Sequence, residues 1–596
     1  MLNDKDILKH NFIKRRVVVI RGAYIILSSI LILKLLKLQL FDFFLYKKKS
    51  NNNSIREFFL LPNRGIIYDR NMVKIADTNV TNRLIYHSNK YLKIEDIKNV
   101  LFILKRSQHT TNQILKVTKN KMLKNKNAIY VLARNLSPDE IVRLKFNQTY
   151  IRNMDIEQYF VRNYPFKANT STLIGYVMAV RGNVENKIAQ TNSEYRIGID
   201  GIEKIYEQSI NGKVGLKYNI INASGKKINE IIKTKPVDGQ NLITSIDQRL
   251  QNKLSQLLET QSGAATLLDV KTGAILAMVS KPNIDPNAIS IGLSDEEWNK
   301  ILDAKSGLLI NKNISSVYPP GSTFKIVSTL AGLENGLDPK LKYNCTGKHA
   351  IGNRIFHCWK DKQGGHGLVD LNTAIAQSCN CYFYNLSQHL SDTDIYDVAM
   401  KLGLNKKHLP EFNELTGVVG NKKWAKKNGL AFTGGDKANL TIGQGFVSLT
   451  PIQLVVMIAR VATNKKIEPR YLLKDESENF SDLNINEDYL QIIRRGLYSV
   501  INENYGTGYR YHNKKYKICG KTGTAQVVSQ RLENREMSSG KISKNKHNHA
   551  LFVGYAPYED PRYAVSVVIE HGISGSGSAA PIGTSILSYA LDLNDE

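Results

Sequence analysis

Residues 319–333 read PPGSTFKIVSTLAGL. Two prolines and a glycine end whatever precedes them, and Phe324, Ile326, Val327, Leu330 and Leu333 then recur at helical spacing. Ser322 and Lys325 stand three residues apart at the start of that helix, a spacing that puts both on one face. A neutral Ser hydroxyl is a poor nucleophile until a base takes its proton. A Lys serves as that base only when burial or a neighbouring cation lowers its pKa. The free N–H groups and positive end of a helix N-terminus favour negative charge developing there. The stretch therefore predicts a nucleophile–base pair.

The pattern alone is weak. Ser-x-x-Lys recurs at Ser224–Lys227, Ser538–Lys541 and Ser543–Lys546, in polar stretches that read as solvated loops. A second cation strengthens the case for Ser322, and KTG occurs at 271–273 and 521–523. The first copy is the turn of a predicted hairpin, GAATLLDVKTGAILAMVS (263–280). The second ends an apolar strand as GKTGTAQ (520–526), where Gly523 lets a substrate backbone approach closely. It is not a phosphate loop, because no glycine stands five residues before Gly520. QSCNCYFY (377–384) offers a third hydroxyl, Ser378, followed by Asn380. Ser-x-Asn is also cheap, since SNN (50–52), SIN (209–211) and SEN (477–479) match it.

Around these motifs, NLITSIDQRLQNKLSQLLET (241–260) predicts a strand and an amphipathic helix. YKICGKTGTAQ (516–526), HALFVGYAP (549–557) and YAVSVVIEHG (563–572) predict three strands, and GTSILSYALDL (583–593) a closing helix. Helices are expected from 322 and over 368–405. Strands at both ends with helices between predict one antiparallel sheet flanked by helices, an α+β domain over 237–592. Upstream, LPNRGIIYDRN (61–71), RNYPFKANTSTLIGYV (162–177) and GIDGIEKIYEQSINGKVGLKYNIINASGKKI (198–228) predict a β-rich module over 42–236. Its Lys-rich stretch 90–160 carries no assignable chemistry, and the polar insertion 527–550 reads as a loop beside the site.

KRR (14–16) precedes VVVIRGAYIILSSILILKLLKLQLF (17–41), the length of one membrane crossing of roughly 20 residues. Arg21, Lys34 and Lys37 weaken the span but can snorkel to headgroups near its ends. Basic residues before it predict a cytoplasmic tail (1–16), an uncleaved anchor (17–41) and everything else outside. The net charge is +29, but the lysines are scattered and interleaved with Asn, and no nucleic-acid signature appears. A nucleic-acid partner is not expected.

Ser-x-x-Lys at a helix start, Ser-x-Asn, then Lys-Thr-Gly-Thr on a strand is the order found in the penicillin-recognising Ser transferases. From residue 17 on, the chain resembles the class B penicillin-binding proteins, more closely the cell-elongation type, penicillin-binding protein 2. NRGIIYDRN, RNYPF, LIGYV and GIDGIEKIYEQSINGKVG resemble its pedestal motifs. SIDQRLQ, PNIDPN and IGQGFVSLTPIQL (442–454) resemble stretches of its transpeptidase domain. The resemblance implies that Ser322 attacks the penultimate D-Ala carbonyl of a peptidoglycan stem peptide and that Lys325 takes its proton. Ser378 passes a proton toward the leaving D-Ala, and Asn380 binds the substrate amide. Lys521 keeps the site cationic, Thr522 and Thr524 bind the terminal carboxylate beside Gly523, and the N–H groups of Ser322 and Thr524 form the oxyanion hole. It also implies acylation by β-lactams, contact with a membrane glycan polymerase, a catalytic domain on the periplasmic side of the inner membrane, and no organic cofactor.

Four of the five cysteines fall between Cys345 and Cys381. Cys345, Cys358, His366 and Cys379 follow C-x12-C-x7-H-x12-C, a set able to hold one structural zinc tetrahedrally. A Cys345–Cys358 disulfide or free thiols are the alternatives, and His357 is the competing imidazole. The resemblance favours zinc, because some elongation-type relatives hold it in this region with carboxylates in place of two thiols. Cys381 and Cys519 read as buried small side chains. The competing functions are a septal paralogue, a β-lactamase, and a non-catalytic penicillin-binding scaffold or sensor. The anchor and pedestal weigh against a β-lactamase, the short N-terminal tail against a sensor and the full Ser, Lys, Ser, Lys-Thr-Gly-Thr set against a scaffold, and the Cys/His region favours the elongation type over the septal one.

Overall fold

The computed structural model describes residues 4–47, 55–87, 94–105, 114, 129–147, 154–180, 188, 195–221, 227–293, 295–302, 307–473, 479–527 and 547–595. Two compact units emerge, one of residues 1–62, 186–192 and 213–237, the other of the rest. In the first, a helix Asp4–Leu36 runs on into a wider turn Lys37–Phe41. Arg15–Phe41 is long and apolar enough to cross a membrane and is the one such helix among the described residues. Its apolar side chains are exposed, as lipid contact requires. The same unit holds a three-stranded antiparallel sheet of Ile55–Leu60, Gly215–Ile221 and Lys227–Thr234, with Gly215–Ile221 in the middle.

The second unit is built on five strands: β1 (Gly263–Asp269), β2 (Ile275–Lys281), β3 (Cys519–Ala525), β4 (His549–Ala556) and β5 (Tyr563–Ile569). They pair antiparallel in the order β2-β1-β5-β4-β3. Antiparallel strands usually alternate apolar and polar residues because one face meets water. Here β1, β4 and β5 are buried almost throughout. Helices α1 (Gln248–Leu257) and α7 (Ala580–Asp595) pack against the sheet, and so does α5 (Pro451–Thr463). Covered faces explain why the strands read as continuous apolar runs. The first KTG copy is a turn, as expected. Asp269 Oδ1 accepts from the N–H groups of Lys271 and Thr272 at 2.9 and 3.2 Å, and the Lys271 side chain is exposed.

Four more helices matter for the site: α2 (Lys325–Glu334), α3 (Leu371–Ala376), α4 (Asn380–His389) and α6 (Glu487–Asn502). Of the other Ser-x-x-Lys copies, Ser224, Ser538–Lys541 and Ser543–Lys546 fall outside the described residues, as does 528–546 of the insertion. Stretch 90–160 forms, where described, helices Ile94–Ile103 and Pro138–Phe146 and strands Ile129–Ala133 and Met154–Asn163 around a small separate core.

Glu203, from GIDGIEK, is fully buried between two arginines. Its carboxylate lies 2.7 Å from Arg162 Nε and 2.6 Å from Arg64 Nη2, and Arg64 also reaches Glu207 at 2.7 Å. Burial raises the Glu203 pKa, yet the Arg162 and Arg64 charges overcome it and hold the carboxyl below its usual range. Removing one partner of such a pair strands the other charges. Glu203→Gln should destabilise this module by about 3–5 kcal/mol. A lowered thermal midpoint of the full chain is the readout, and an unchanged one would show that the arginines are stabilised without it.

Candidate active site

Ser322 sits in a tight turn, Gly321–Phe324, that leads straight into α2. The preceding Gly321 has φ +52° and its N–H donates to Gly443 O at 2.9 Å. A Cβ on Gly443 would come within 2.1 Å of Gly321 O, so the IGQG segment (442–445) is pressed against the nucleophile's turn. Ser322 is half-buried, and among the described residues its hydroxyl has no hydrogen-bond partner.

Lys325 is fully buried. Its ammonium donates to Ser378 O at 2.9 Å, Ser378 Oγ at 3.2 Å and Asn380 Oδ1 at 2.7 Å, and lies 5.2 Å from the centre of the Phe383 ring. One turn of helix thus brings Lys325 to the second motif, while among the described residues no hydrogen bond joins it to the Ser322 hydroxyl. Catalytic hydrogen bonds of this kind commonly tighten only when substrate is bound. Ser378 has φ +57°, a left-handed backbone unusual for Ser that ends α3 and turns its hydroxyl toward Lys325.

Lys521, Thr522, Gly523 and Thr524 lie on β3, the edge strand of the sheet. Lys521 is fully buried and donates to Thr522 O at 3.1 Å. Gly523 is needed for close packing. A Cβ there would stand 2.9 Å from Thr323 Cγ2 and 3.0 Å from Pro320 O, so its absence lets the Ser322 turn rest on β3. Thr524 Oγ1 accepts from Gly575 N at 3.3 Å.

Two polar residues without a motif also reach the site. Gln444 Nε2 donates to Thr524 O at 3.4 Å, and Thr507 Oγ1 lies 2.8 Å from Thr522 Oγ1. The only sequence signal was their setting between glycines, IGQG and YGTGY.

Burial pushes the Lys325 ammonium down to about 8, against the neighbouring sulfurs, which pull the other way. Burial, and then the charge of Lys325, holds Lys521 far below its ordinary value. Two buried amines in one site therefore destabilise each other's charge, which favours a neutral Lys near neutral pH.

Cys345, Cys358, His366 and Cys379 come together with their ligand atoms all within 4.8 Å of one another. All five cysteines are free thiols, so the disulfide alternative is not realised. His366 Nδ1 lies 3.6 Å from Cys345 Sγ and 3.5 Å from Cys358 Sγ. Tetrahedral zinc with bonds of about 2.3 Å to sulfur and about 2.05 Å to nitrogen has an S···N edge of about 3.6 Å. The donor set and its spacing fit the metal. His357 is instead exposed and bonded to Asp361 at 2.8 Å. Cys381 and Cys519 are buried, and burial raises the Cys519 thiol well above its usual range. The cluster reaches the catalytic motif directly. Cys379 is the middle residue of Ser378–Asn380, Cys358 Sγ accepts from Asn380 N at 3.3 Å, and Trp359 Nε1 donates to Gln377 O at 3.1 Å.

A hydroxyl at a helix start, a buried amine serving two motifs and an edge strand carrying a second buried amine make this a Ser acyltransferase site. Comparison with known proteins agrees. Residues 263–588 match the penicillin binding protein transpeptidase domain and 60–244 the penicillin-binding protein dimerisation domain. The peptidoglycan D,D-transpeptidase MrdA of Salmonella typhimurium is 29% identical over 97% of this chain and 96% of its own. That of Acinetobacter baumannii is 30% identical over 98% and 89%. A Helicobacter pylori PBP2, solved in complex with MreC, superposes with a TM-score of 0.74 at 26% identity, over 91% of this chain and 99% of that one. The chain belongs to the penicillin-binding transpeptidase family, to its PBP2 type.

Proposed function

We propose that this protein cross-links peptidoglycan during cell elongation through an acyl-enzyme on Ser322. The observation that carries the site assignment is the Lys325 ammonium held between Ser378 and Asn380 one helical turn from Ser322. As a neutral amine, Lys325 takes the Ser322 proton while Oγ attacks the penultimate D-Ala carbonyl. The N–H groups of Ser322 and Thr524 receive the developing oxyanion. Lys325 passes the proton through Ser378 Oγ to the departing D-Ala amine, and Asn380 holds the peptide amide. Thr522 and Thr524 hold the terminal carboxylate beside Lys521, and Gly523 lets β3 close against the Ser322 turn. The amine of a second stem peptide then attacks the Ser322 ester and releases Ser322 as the cross-link forms. β-Lactams acylate the same hydroxyl.

We place residues 1–16 in the cytoplasm, 17–41 in the inner membrane, a pedestal over 42–236 and the transpeptidase domain over 237–592 on the periplasmic side. The basic residues before the span support that orientation. The H. pylori relative, solved in complex with MreC, supports a protein partner for this chain, and we assign the pedestal contact with a membrane glycan polymerase.

Cys345, Cys358, His366 and Cys379 would hold one structural zinc, a closed four-ligand set that fixes the Ser378 motif and takes no part in the chemistry. One zinc per chain by elemental analysis is the expected content. Chelation should lower the thermal midpoint and slow acylation. A metal-free chain of undiminished stability would remove zinc from the account and leave the acyl-enzyme reading intact.

A further inference from the structure

The turn between α6 and β3 is held without freedom to swing. Gly506 N donates to Glu503 O and Gly508 N to Val500 O, each at 2.9 Å. A Cβ on Gly506 would stand 2.3 Å from the Ser499 and Val500 carbonyl oxygens, and one on Gly508 2.5 Å from Ile501 Cδ1. Asn502 Nδ2 ties the end of α6 to Ile518 O at 2.8 Å. Between the two glycines stands Thr507. Its N–H donates to Ala376 O at 3.1 Å, two residues before Ser378, and its hydroxyl meets Thr522 Oγ1 at 2.8 Å. One residue thus joins the Ser378 segment to the Lys-Thr-Gly strand.

Each hydroxyl has one proton and two lone pairs. Among the described residues, the hydroxyls of Thr507 and Thr522 have only each other as partners. One proton makes the bond between them, and the other remains for a ligand. A carboxylate approaching β3 is met by the Thr522 proton only if Thr507 is the donor within the pair. We propose that Thr507 is a positioning residue for the terminal carboxylate of the donor peptide, donating to Thr522 Oγ1 and so turning the Thr522 proton toward the anion. This rests on the Ser322 reading above. It makes Thr507 selective for substrates and inhibitors that carry the carboxylate.

The test is acylation of the full chain by benzylpenicillin and by its methyl ester, in which the carboxylate is masked. Thr507→Val keeps the shape and removes the hydroxyl. It should slow acylation by the acid about fivefold, because Thr522 keeps its proton but loses the neutral hydrogen bond that aims it. Acylation by the ester should stay nearly unchanged, so the acid-to-ester ratio falls about fivefold. Thr507→Ser should restore the ratio, and Thr507→Ala should behave as Val. Because the ratio is internal to each variant, partial misfolding does not imitate the result. If Val slows acid and ester equally, Thr507 only braces the turn, and if it slows neither, the hydroxyl has no role. Either result overturns the proposal. If the wild-type chain carries its adduct on a residue other than Ser322, the site reading itself fails and this one with it.

Discussion

Ser322→Ala, with the fold intact, abolishes peptide cross-linking and covalent capture of benzylpenicillin. The expected loss is at least about four orders of magnitude, because no neighbouring hydroxyl can replace the nucleophile in a covalent mechanism. Thr323 is fully buried and its Oγ1 donates to Pro320 O at 2.8 Å, and the Ser378 hydroxyl is engaged by Lys325. The substitution removes a half-buried hydroxyl that has no partner among the described residues, so the thermal midpoint should not move. A folded alanine variant that still cross-links would contradict the assignment.

Lys325→Met has the second largest effect. It should slow acylation by about 10²–10⁴, the usual contribution of a general base. It also leaves Asn380 Oδ1 and the Ser378 oxygens without their buried donor, so some stability is lost with it. The pH profile separates the two causes. Lys325 accepts a proton only when neutral, and burial brings its pKa down to about 8. Below that value the ammonium form dominates and wild-type acylation should fall about tenfold per pH unit. Above it the rate should level off. In Lys325→Met this limb should vanish and leave a flat, low rate. A methionine variant with the wild-type limb would assign the base to another group.

The sheet, its hairpin and the helix after Ser322 were legible because both faces of the sheet are covered. Apolar runs such as ILAMV, LFVGYA and YAVSVVI then stand out against the polar turns between them. The residues proposed as catalytic were legible as an ordered set of three motifs, each near noise alone. The cysteine cluster was legible from ligand type and spacing. Sequence could not show that Cys379 lies inside the Ser378 motif in space as well as in order, so that Cys358 Sγ holds the Asn380 amide. Gln444 and Thr507 were not found because they meet the site only through hydrogen bonds that folding creates, Gln444 to Thr524 O and Thr507 to Ala376 O and Thr522 Oγ1, and no residue type announces that. Gly523 was singled out for a close backbone approach, and the structure adds one that the sequence did not suggest. Its bare Cα admits the Ser322 turn, which only the packing of Pro320 and Thr323 reveals.

The most direct test of the central claim is the intact mass of the full chain after minutes and after hours with benzylpenicillin, followed by mapping of the modified peptide. The account predicts one adduct per chain, on Ser322, that persists for hours because the site awaits an amine rather than water. An adduct on another residue would contradict the Ser322 assignment. An adduct that disappears while penicillin is consumed would contradict the transpeptidase reading and make the protein a β-lactamase.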